Sequence, residues 1–243
     1  MQDVAVIIPA KDEADRIAAT VKAAQELPGA DLVVVVDDGS SDPTGRVARE
    51  AGARVVRHSR NRGKGAAMES GAEAVRLLDD GRDRPRHLLF LDADLAGTAR
   101  EAAPLVEPVR AGDADMTIAV FSTTVKLGGH GFVVRLSREG IRRATGWEPD
   151  APLNGQRCLT RAAFDAALPL AAGFGVETAL TIDLLRQGFR VREVEVPLAH
   201  RATGSDWRAQ LHRGRQFRDV ARALAVREPA VARRLGRARG SRP

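Results

Sequence analysis

Three runs of uninterrupted apolar residues, Val4 to Ile8, Leu32 to Val36 and Leu88 to Leu91, stand out in the first half of the chain. Their length and continuity predict strands buried on both faces, as in a parallel sheet. Arg54 to Arg57 and Asp115 to Val120 read as further strands, and Arg190 to Val196 alternates apolar and charged residues, which predicts a half-exposed one. Between them the period changes. Lys11, Asp12, Glu13 and Asp15 open a predicted helix with Ile17, Val21 and Ala24 on one face. Ser41-Asp42-Pro43 begins another, with Asp42 as its structural cap, and Gly52 stops it. A third carries Met68, Ala72 and Val75. Further on, Phe132 to Thr145 is amphipathic, Phe174-Gly175-Val176-Glu177 opens a helix bearing Leu180, Leu184 and Leu185, and the chain is helical from Trp207 with Phe217, Val220 and Leu224 as the buried side. The expectation is an α/β fold with a mostly parallel central sheet flanked by helices, in one domain. Residues 1–120 form its nucleotide-binding half, 121–226 a different second half, and 227–243 a basic, flexible tail.

Composition refines this only a little. A chain of 243 residues holds one large α/β domain or at most two small ones. Aromatics make up 4%, with no Tyr, so the core must come from Val, Leu, Ile and Ala, with Trp147 and Trp207 as packing residues. Cys158 stands alone, which excludes an intrachain disulfide and a multi-cysteine metal site, and reads as a small core residue. The formal charge is +6, and the stretch from Arg227 carries six Arg against one Glu. A solvated terminus is the first reading of that tail; peripheral contact with anionic lipid is the alternative, and nucleic acid is not an expected partner. No segment has the ~18 apolar residues of a membrane span, and the N-terminus enters a strand without a charged leader. A cytoplasmic protein is expected, with peripheral attachment at the inner membrane face as the variant reading and a homodimer left open.

The candidate chemistry gathers at strand ends. Leu88 to Leu91 runs into Asp92-Ala93-Asp94, where an open α/β sheet binds its ligands. On an extended chain Asp92 and Asp94 point to the same side, so they could share one divalent cation gripping a nucleoside diphosphate. Asp37 and Asp38 follow the second strand; two adjacent carboxylates there cost solvation unless something donates to them, and a uracil or guanine ring has N–H groups to offer. For Glu13, just past the first strand, two readings stand: a complement to the helix dipole, or an acceptor for ribose hydroxyls. Gly63-Lys64-Gly65 is a plain turn or a phosphate-facing one, but no P-loop, because the G-x-x-x-x-G-K-[ST] spacing is absent. The Gly-rich loop Phe121 to Gly131 is an anion site or a connector, and Glu177 in a first helical turn is a dipole complement or a site residue. His200 follows a strand and is a candidate third metal ligand. Arg208, His212, Arg213, Arg215 and Arg218 make a basic helix face that could hold a phosphate.

Four ordered stretches carry a resemblance: I-I-P-A-K-D-E (Ile7 to Glu13), V-D-D-G-S-S-D (Val36 to Asp42), N-R-G-K-G-A-A (Asn61 to Ala67) and L-D-A-D-L (Leu91 to Leu95). Together they resemble the GT-A-fold glycosyltransferases of family 2. The second half, with G-G-H-G (Gly128 to Gly131), A-P-L-N-G-Q (Ala151 to Gln156), G-V-E-T-A-L-T-I-D (Gly175 to Asp183) and A-H-R (Ala199 to Arg201), is similar to the glucosyl-3-phosphoglycerate synthase and polyprenyl-phosphate sugar transferase groups. The Q-x-x-R-W segment of processive polysaccharide synthases is absent from this sequence, and a long membrane-anchoring extension is not expected.

The resemblance implies a Rossmann-like GT-A domain with an acceptor-binding second half, and sugar transfer from a UDP- or GDP-sugar to an anionic acceptor, a phosphorylated small molecule or a polyprenyl phosphate. It assigns Pro9, Ala10, Lys11, Glu13, Asp38, Asp92 and Ala93 to the nucleotide sugar, with Lys64 near its base or diphosphate. Asp94, Asp92 and His200 would hold Mg2+ or Mn2+, and Gly128, Gly129, Asn154 and Glu177 would line the acceptor side. Asp94, Lys64 and Glu177 form the implied catalytic set. Where the phosphoglycerate enzymes carry an Arg near the glycine loop, this chain has His130, which tells against phosphoglycerate itself. An anionic acceptor needs no base; for a hydroxyl, Glu177 or Asp183 is the candidate. Family 2 inverts while the phosphoglycerate-like enzymes retain, so the anomeric outcome stays open. The competing readings are a sugar-1-phosphate nucleotidyltransferase, whose Gly-rich signature is missing, and a non-catalytic nucleotide-sugar-binding module.

Overall fold

In chain order, β1 (Val4–Ala10), α1 (Ile17–Gln25), β2 (Ala30–Asp37), α2 (Thr44–Glu50), β3 (Arg54–Arg57), α3 (Lys64–Leu78) and β4 (His87–Phe90) make a strand–helix alternation. It is followed by a 3₁₀ stretch Ala96–Leu105, α4 (Glu107–Arg110), β5 (Met116–Phe121), α5 (Gly131–Thr145), β6 (Arg157–Leu159), α6 (Arg161–Ala166), α7 (Val176–Arg186), β7 (Val191–Val196) and α8 (Trp207–Arg227). The structure, a computed structural model, describes residues 3–121, 131–197 and 207–227, and only the backbone of 207–213 and 215. The seven strands form one sheet in the order β3-β2-β1-β4-β6-β5-β7, parallel except for β6, which runs antiparallel to both its neighbours.

The apolar runs are buried on both faces because alternate residues feed two cores. Val6, Ile8, Val33 and Val35 pack toward α1 and the 96–105 stretch. Ala5, Ile7, Val34 and Val36 pack toward α3, α6 and α7. Strand β1 has β2 on one side and β4 on the other, so the chain reverses its winding between β1 and β4. A crevice opens at such a switch point beyond the carboxyl ends of the strands. Pro9 and Ala10 end β1 on one side of it, and the Asp92-Ala93-Asp94 turn follows β4 on the other.

Several boundaries differ from the sequence expectation. Helix α1 starts at Ile17, not near Lys11, because residues 11–14 are stitched to the β2–α2 loop. Asp12 sits at φ 54 and accepts from the Ser41 backbone N–H at 2.7 Å, while Asp42 accepts from Ala14 N at 3.1 Å and Thr44 N at 3.0 Å. Asp42 is thus structural, as expected. The three-residue strand β6 has no apolar run to announce it, since it begins with the fully buried Arg157. On α8, Val220 is buried, but Phe217 is 38% exposed rather than inward-facing. Cys158 is buried in the core, which pushes its thiol up to about 12. Among the described residues no helix is long and apolar enough to cross a membrane.

Candidate active site

Strand β4 ends at Phe90, and Ala93-Asp94 form a turn, so the two aspartates of the central motif are not on an extended strand. The period-two argument that put both on one side therefore does not apply. What holds the turn is Thr20 of α1. Its buried hydroxyl donates to Ala93 O at 2.8 Å and accepts from Ala96 N at 2.8 Å. Ala96 is kept at φ 49, a left-handed conformation that costs an L-residue about 1 kcal/mol or more. Thr20→Val, equal in shape, would leave a buried carbonyl and amide unpaired. It is expected to lower unfolding free energy by about 1–3 kcal/mol, read from urea denaturation.

The two aspartates then do different work. Asp92 is half-buried and saturated: Lys64 Nζ lies 2.8 Å from Oδ1 and Gln156 Nε2 donates to Oδ2 at 2.7 Å. The same ammonium lies 3.0 Å from Glu177 Oε1, so Lys64 bridges the end of β4 to the first turn of α7. Burial works against a charged ammonium here, yet the two carboxylates outweigh it and raise the Lys64 pKa above the ordinary lysine value. Lys64 opens α3 after Gly63, whose φ of 90 suits glycine, so the fixed cation stands at a helix N-terminus. Gly155 leaves room for it: a Cβ there would come within 2.2 Å of Nζ and displace the ammonium.

Asp94 is half-buried and has no hydrogen-bond or ion-pair partner among the described residues. Its charge reaches Glu13, whose pKa is raised by burial first and by Asp94 second, against the pull of Arg16. Glu13 is tied to Arg16 at 2.7 Å and its backbone N–H donates to Thr44 Oγ1 at 2.8 Å. It precedes α1 instead of lying in its first turn. Carboxylates near enough to raise one another's pKa, one of them without a protein partner among the described residues, suit a hard divalent cation. Among the described residues no three of His, Cys, Asp or Glu converge as a complete ligand set. The residues present therefore fit an ion of the Mg2+ type, held by one or two carboxylates and otherwise by water and phosphate oxygens.

At the end of β2 the donors sought for Asp37 and Asp38 come from the protein itself. Asp38 accepts from the backbone N–H groups of Arg62 and Gly63, both at 2.8 Å, and lies 2.7 Å from His58 Nδ1. His58 Nε2 continues to Ser70 Oγ at 2.9 Å. Asp37 accepts from Ser40 N at 2.9 Å, with Arg57 Nε 3.5 Å away. A nucleobase is not needed to compensate either carboxylate. A cleft of about 360 Å³ lined by Gly39, Ser40, Arg57, His58 and Ser59 lies alongside.

The structure thus brings Lys64, Asp92 and Glu177 into one network, with Glu13 and Asp94 beside the D-x-D turn. Ala10 O accepts from Asp38 N at 2.9 Å, and Lys11 pairs with Asp12 at the surface. Asn154 ties its turn to β5, donating to Ala119 O at 2.7 Å and accepting from Gln156 N at 2.9 Å. Asp183 is not available as a base: both its oxygens are held by Arg227 of α8. Gly128, Gly129, His130 and His200 lie outside the described residues, as do the side chains of Arg208, His212, Arg213 and Arg215. Two residues escaped the sequence reading, Gln156 and Arg157. Arg157 has no exposure, and its guanidinium donates to Asn154 O, Glu177 O and Thr181 Oγ1 at 2.7, 3.1 and 2.9 Å. Nothing in a short polar turn signals that these side chains point inward.

Residues 5–161 match the model of glycosyl transferase family 2. Glycosyltransferase AglJ of Haloferax volcanii is 30% identical over 210 residues, 84% of this chain and 65% of that protein. Glucosyl-3-phosphoglycerate synthase of Mycolicibacterium paratuberculosis is 29% identical over 203 residues, 74% of this chain and 59% of that one. The chain spans between 45% and 65% of the first curated relatives it matches. The crystal structure of glucosyl-3-phosphoglycerate synthase from Mycobacterium tuberculosis with Mn2+, UDP-glucose and phosphoglyceric acid superposes with a TM-score of 0.74 at 25% identity, covering 93% of this chain and 79% of that one.

Proposed function

The chain belongs to glycosyl transferase family 2, and from that premise we propose that it transfers a sugar from a nucleoside diphosphate sugar, UDP-linked first, to an anionic acceptor. The observation that carries this reading is Asp94, without a partner among the described residues and close enough to Glu13 to raise its pKa, in a turn after β4 whose other aspartate is bound by the cation Lys64. A structural relative binds Mn2+, UDP-glucose and phosphoglyceric acid together, which favours a uridine donor and an acceptor bearing a phosphate or carboxylate.

Asp94 is the residue that would hold Mg2+ or Mn2+, with Asp92 adjacent and His200 as the expected third ligand. The ion would supply Lewis-acid neutralisation of the charge that grows on the leaving diphosphate. The chain's own part is electrostatic. Lys64, pinned by Asp92 and Glu177, offers a fixed positive charge at the N-terminus of α3 without reorganising during transfer. Glu177 is buried and committed to that ammonium, which suits an acceptor already ionised and needing no proton removed. The nucleoside would lie across the ends of β1 and β2, against Pro9, Ala10, Lys11, Glu13 and Asp38.

The test is a thermal-shift panel with Mn2+, since selective binding to the folded state raises the melting temperature. UDP-sugars, or GDP-sugars if the donor is a guanosine one, are expected to raise it, and to do so less when the metal is chelated. CMP-sugars and ATP are expected to leave it unchanged. A shift with ATP alone would point to another nucleotide chemistry. Metal-independent nucleotide binding without turnover would favour a binding module.

A further inference from the structure

Helices α5 and α8 pack against each other, closely enough that Leu224 occupies the space a side chain on Gly140 would need. Their sequences are unusually one-signed. Helix α5 carries four Arg and one Glu, and α8 carries six Arg and one Asp. Both acids are already engaged: Glu139 by Arg142 and Arg143, and Asp219 by the Phe174 backbone N–H at 3.2 Å with Arg218 beside it. Arg135, Arg218 and Arg222 are exposed. On the same pair of helices Phe132 is 62% exposed and Phe217 38% exposed, and they are the two exposed phenylalanines among the described residues. They stack on one another with ring centroids 5.4 Å apart and planes at 25°.

Large apolar side chains left in water within an arginine-rich surface mark a binding face rather than a neutral one. We propose that the α5–α8 face docks on an anionic lipid surface, the Phe132–Phe217 pair entering the headgroup boundary while the arginines lie against the phosphates. Aromatic residues in a basic helical face are what an interfacial anchor needs, and each arginine near such a surface contributes about 1 kcal/mol. The alternative anionic partner, a nucleic acid, would use the ring faces to stack bases. Here each phenylalanine turns a face to the other, so what remains is apolar bulk, which suits lipid. The placement has a consequence for the site: Asp219 of this helix holds Phe174, three residues before Glu177, so the docked surface adjoins the acceptor side of the crevice. The docking itself does not depend on the proposed reaction.

The test is co-sedimentation of the full chain with vesicles of phosphatidylcholine alone and of equal parts phosphatidylcholine and phosphatidylglycerol. Binding is expected to the anionic vesicles, weakly or not at all to the neutral ones, and to fall as salt rises. Phe132→Ser/Phe217→Ser should weaken it by about tenfold or more, from the apolar burial lost, with only a small fall in melting temperature from the lost ring stacking. Arg135→Gln/Arg218→Gln/Arg222→Gln should weaken it comparably and flatten the salt dependence, and serves as the second arm should the phenylalanine variant fail to fold. Failure to bind anionic vesicles at low salt, or binding untouched by both variants, overturns the proposal. So does tighter binding of a single-stranded RNA oligomer that depends on the two phenylalanines, which would assign the face to nucleic acid.

Discussion

Replacing Asp94 by Asn is expected to reduce Mn2+-dependent turnover of the donor by about a thousandfold or more, the equivalent of roughly 4 kcal/mol of transition-state stabilisation. The ground for so large an effect is that Asp94 is a half-buried carboxylate with no protein cation among the described residues and a like charge, Glu13, nearby. Asp92→Asn makes the internal control. Asp92 is already paired with the Lys64 ammonium and hydrogen-bonded by Gln156, so its loss should disturb the ammonium more than metal affinity. Direct Mn2+ binding, followed by the paramagnetic signal of the free ion, separates the two: strongly weakened in Asp94→Asn, modestly in Asp92→Asn. Equal weakening in both would mean that Lys64 yields Asp92 to the metal. The pH dependence has opposite signs for stability and for binding. The folded Glu13 pKa lies above its ordinary value, so its contribution to stability is present in acid and lost as pH rises through the folded pKa. Metal affinity runs the other way, because the ion competes with that proton. Metal-free protein should therefore gain from Glu13 on mild acidification while Mn2+ binding declines.

How much of this was legible depends on where each interaction is written in the chain. Strands β1, β2 and β4 could be read because burial on both faces leaves continuous apolar runs, and the place of Asp94 follows from its position after one of them. The conformation of the D-x-D turn could not be read. It depends on a hydroxyl from Thr20, 73 residues before the carbonyl it binds. Likewise Gly63-Lys64-Gly65 signals a turn, but the partners that fix Lys64 lie 28 residues on at Asp92 and in the first turn of α7. The reasoning about Asp37 and Asp38 correctly demanded donors and looked for them in a ligand. The chain supplies them itself, for Asp38 from the loop before α3 and for Asp37 from Ser40 and Arg57, three of them as backbone N–H groups that no residue type reveals. Period-two reasoning failed at Asp92 and Asp94 because a strand of four residues ends before them.

Arg157 is where the fold and the site share one side chain, and its removal should have the largest effect on stability. Arg157→Met keeps much of the volume and all the apolar stem but deletes a guanidinium with no solvent exposure. That group donates to the carbonyls of Asn154, Pro152 and Glu177 and to the Thr181 hydroxyl. These acceptors come from the 151–156 turn and from α7, so one side chain ties the two segments together. Burial lowers the Arg157 pKa to about 10, with Glu177 and Glu193 opposing, so the group stays charged at neutral pH, held by neutral oxygens. Losing one partner of such a set leaves several buried acceptors unsatisfied, and a cost of about 3–5 kcal/mol is expected. Against a domain stability of about 5–15 kcal/mol that is a shift large enough to read directly from the urea midpoint. Arg157→Lys, which reaches fewer of the acceptors, should fall between. The activity arm follows from geometry: the turn carries Gly155 and Gln156 against Lys64 and Asp92, and Glu177 grips the same lysine from α7. In Arg157→Lys, turnover should therefore fail at temperatures where circular dichroism still reports a folded chain. If turnover and fold are instead lost together, Arg157 supports the core alone and the Lys64 network has another source of order.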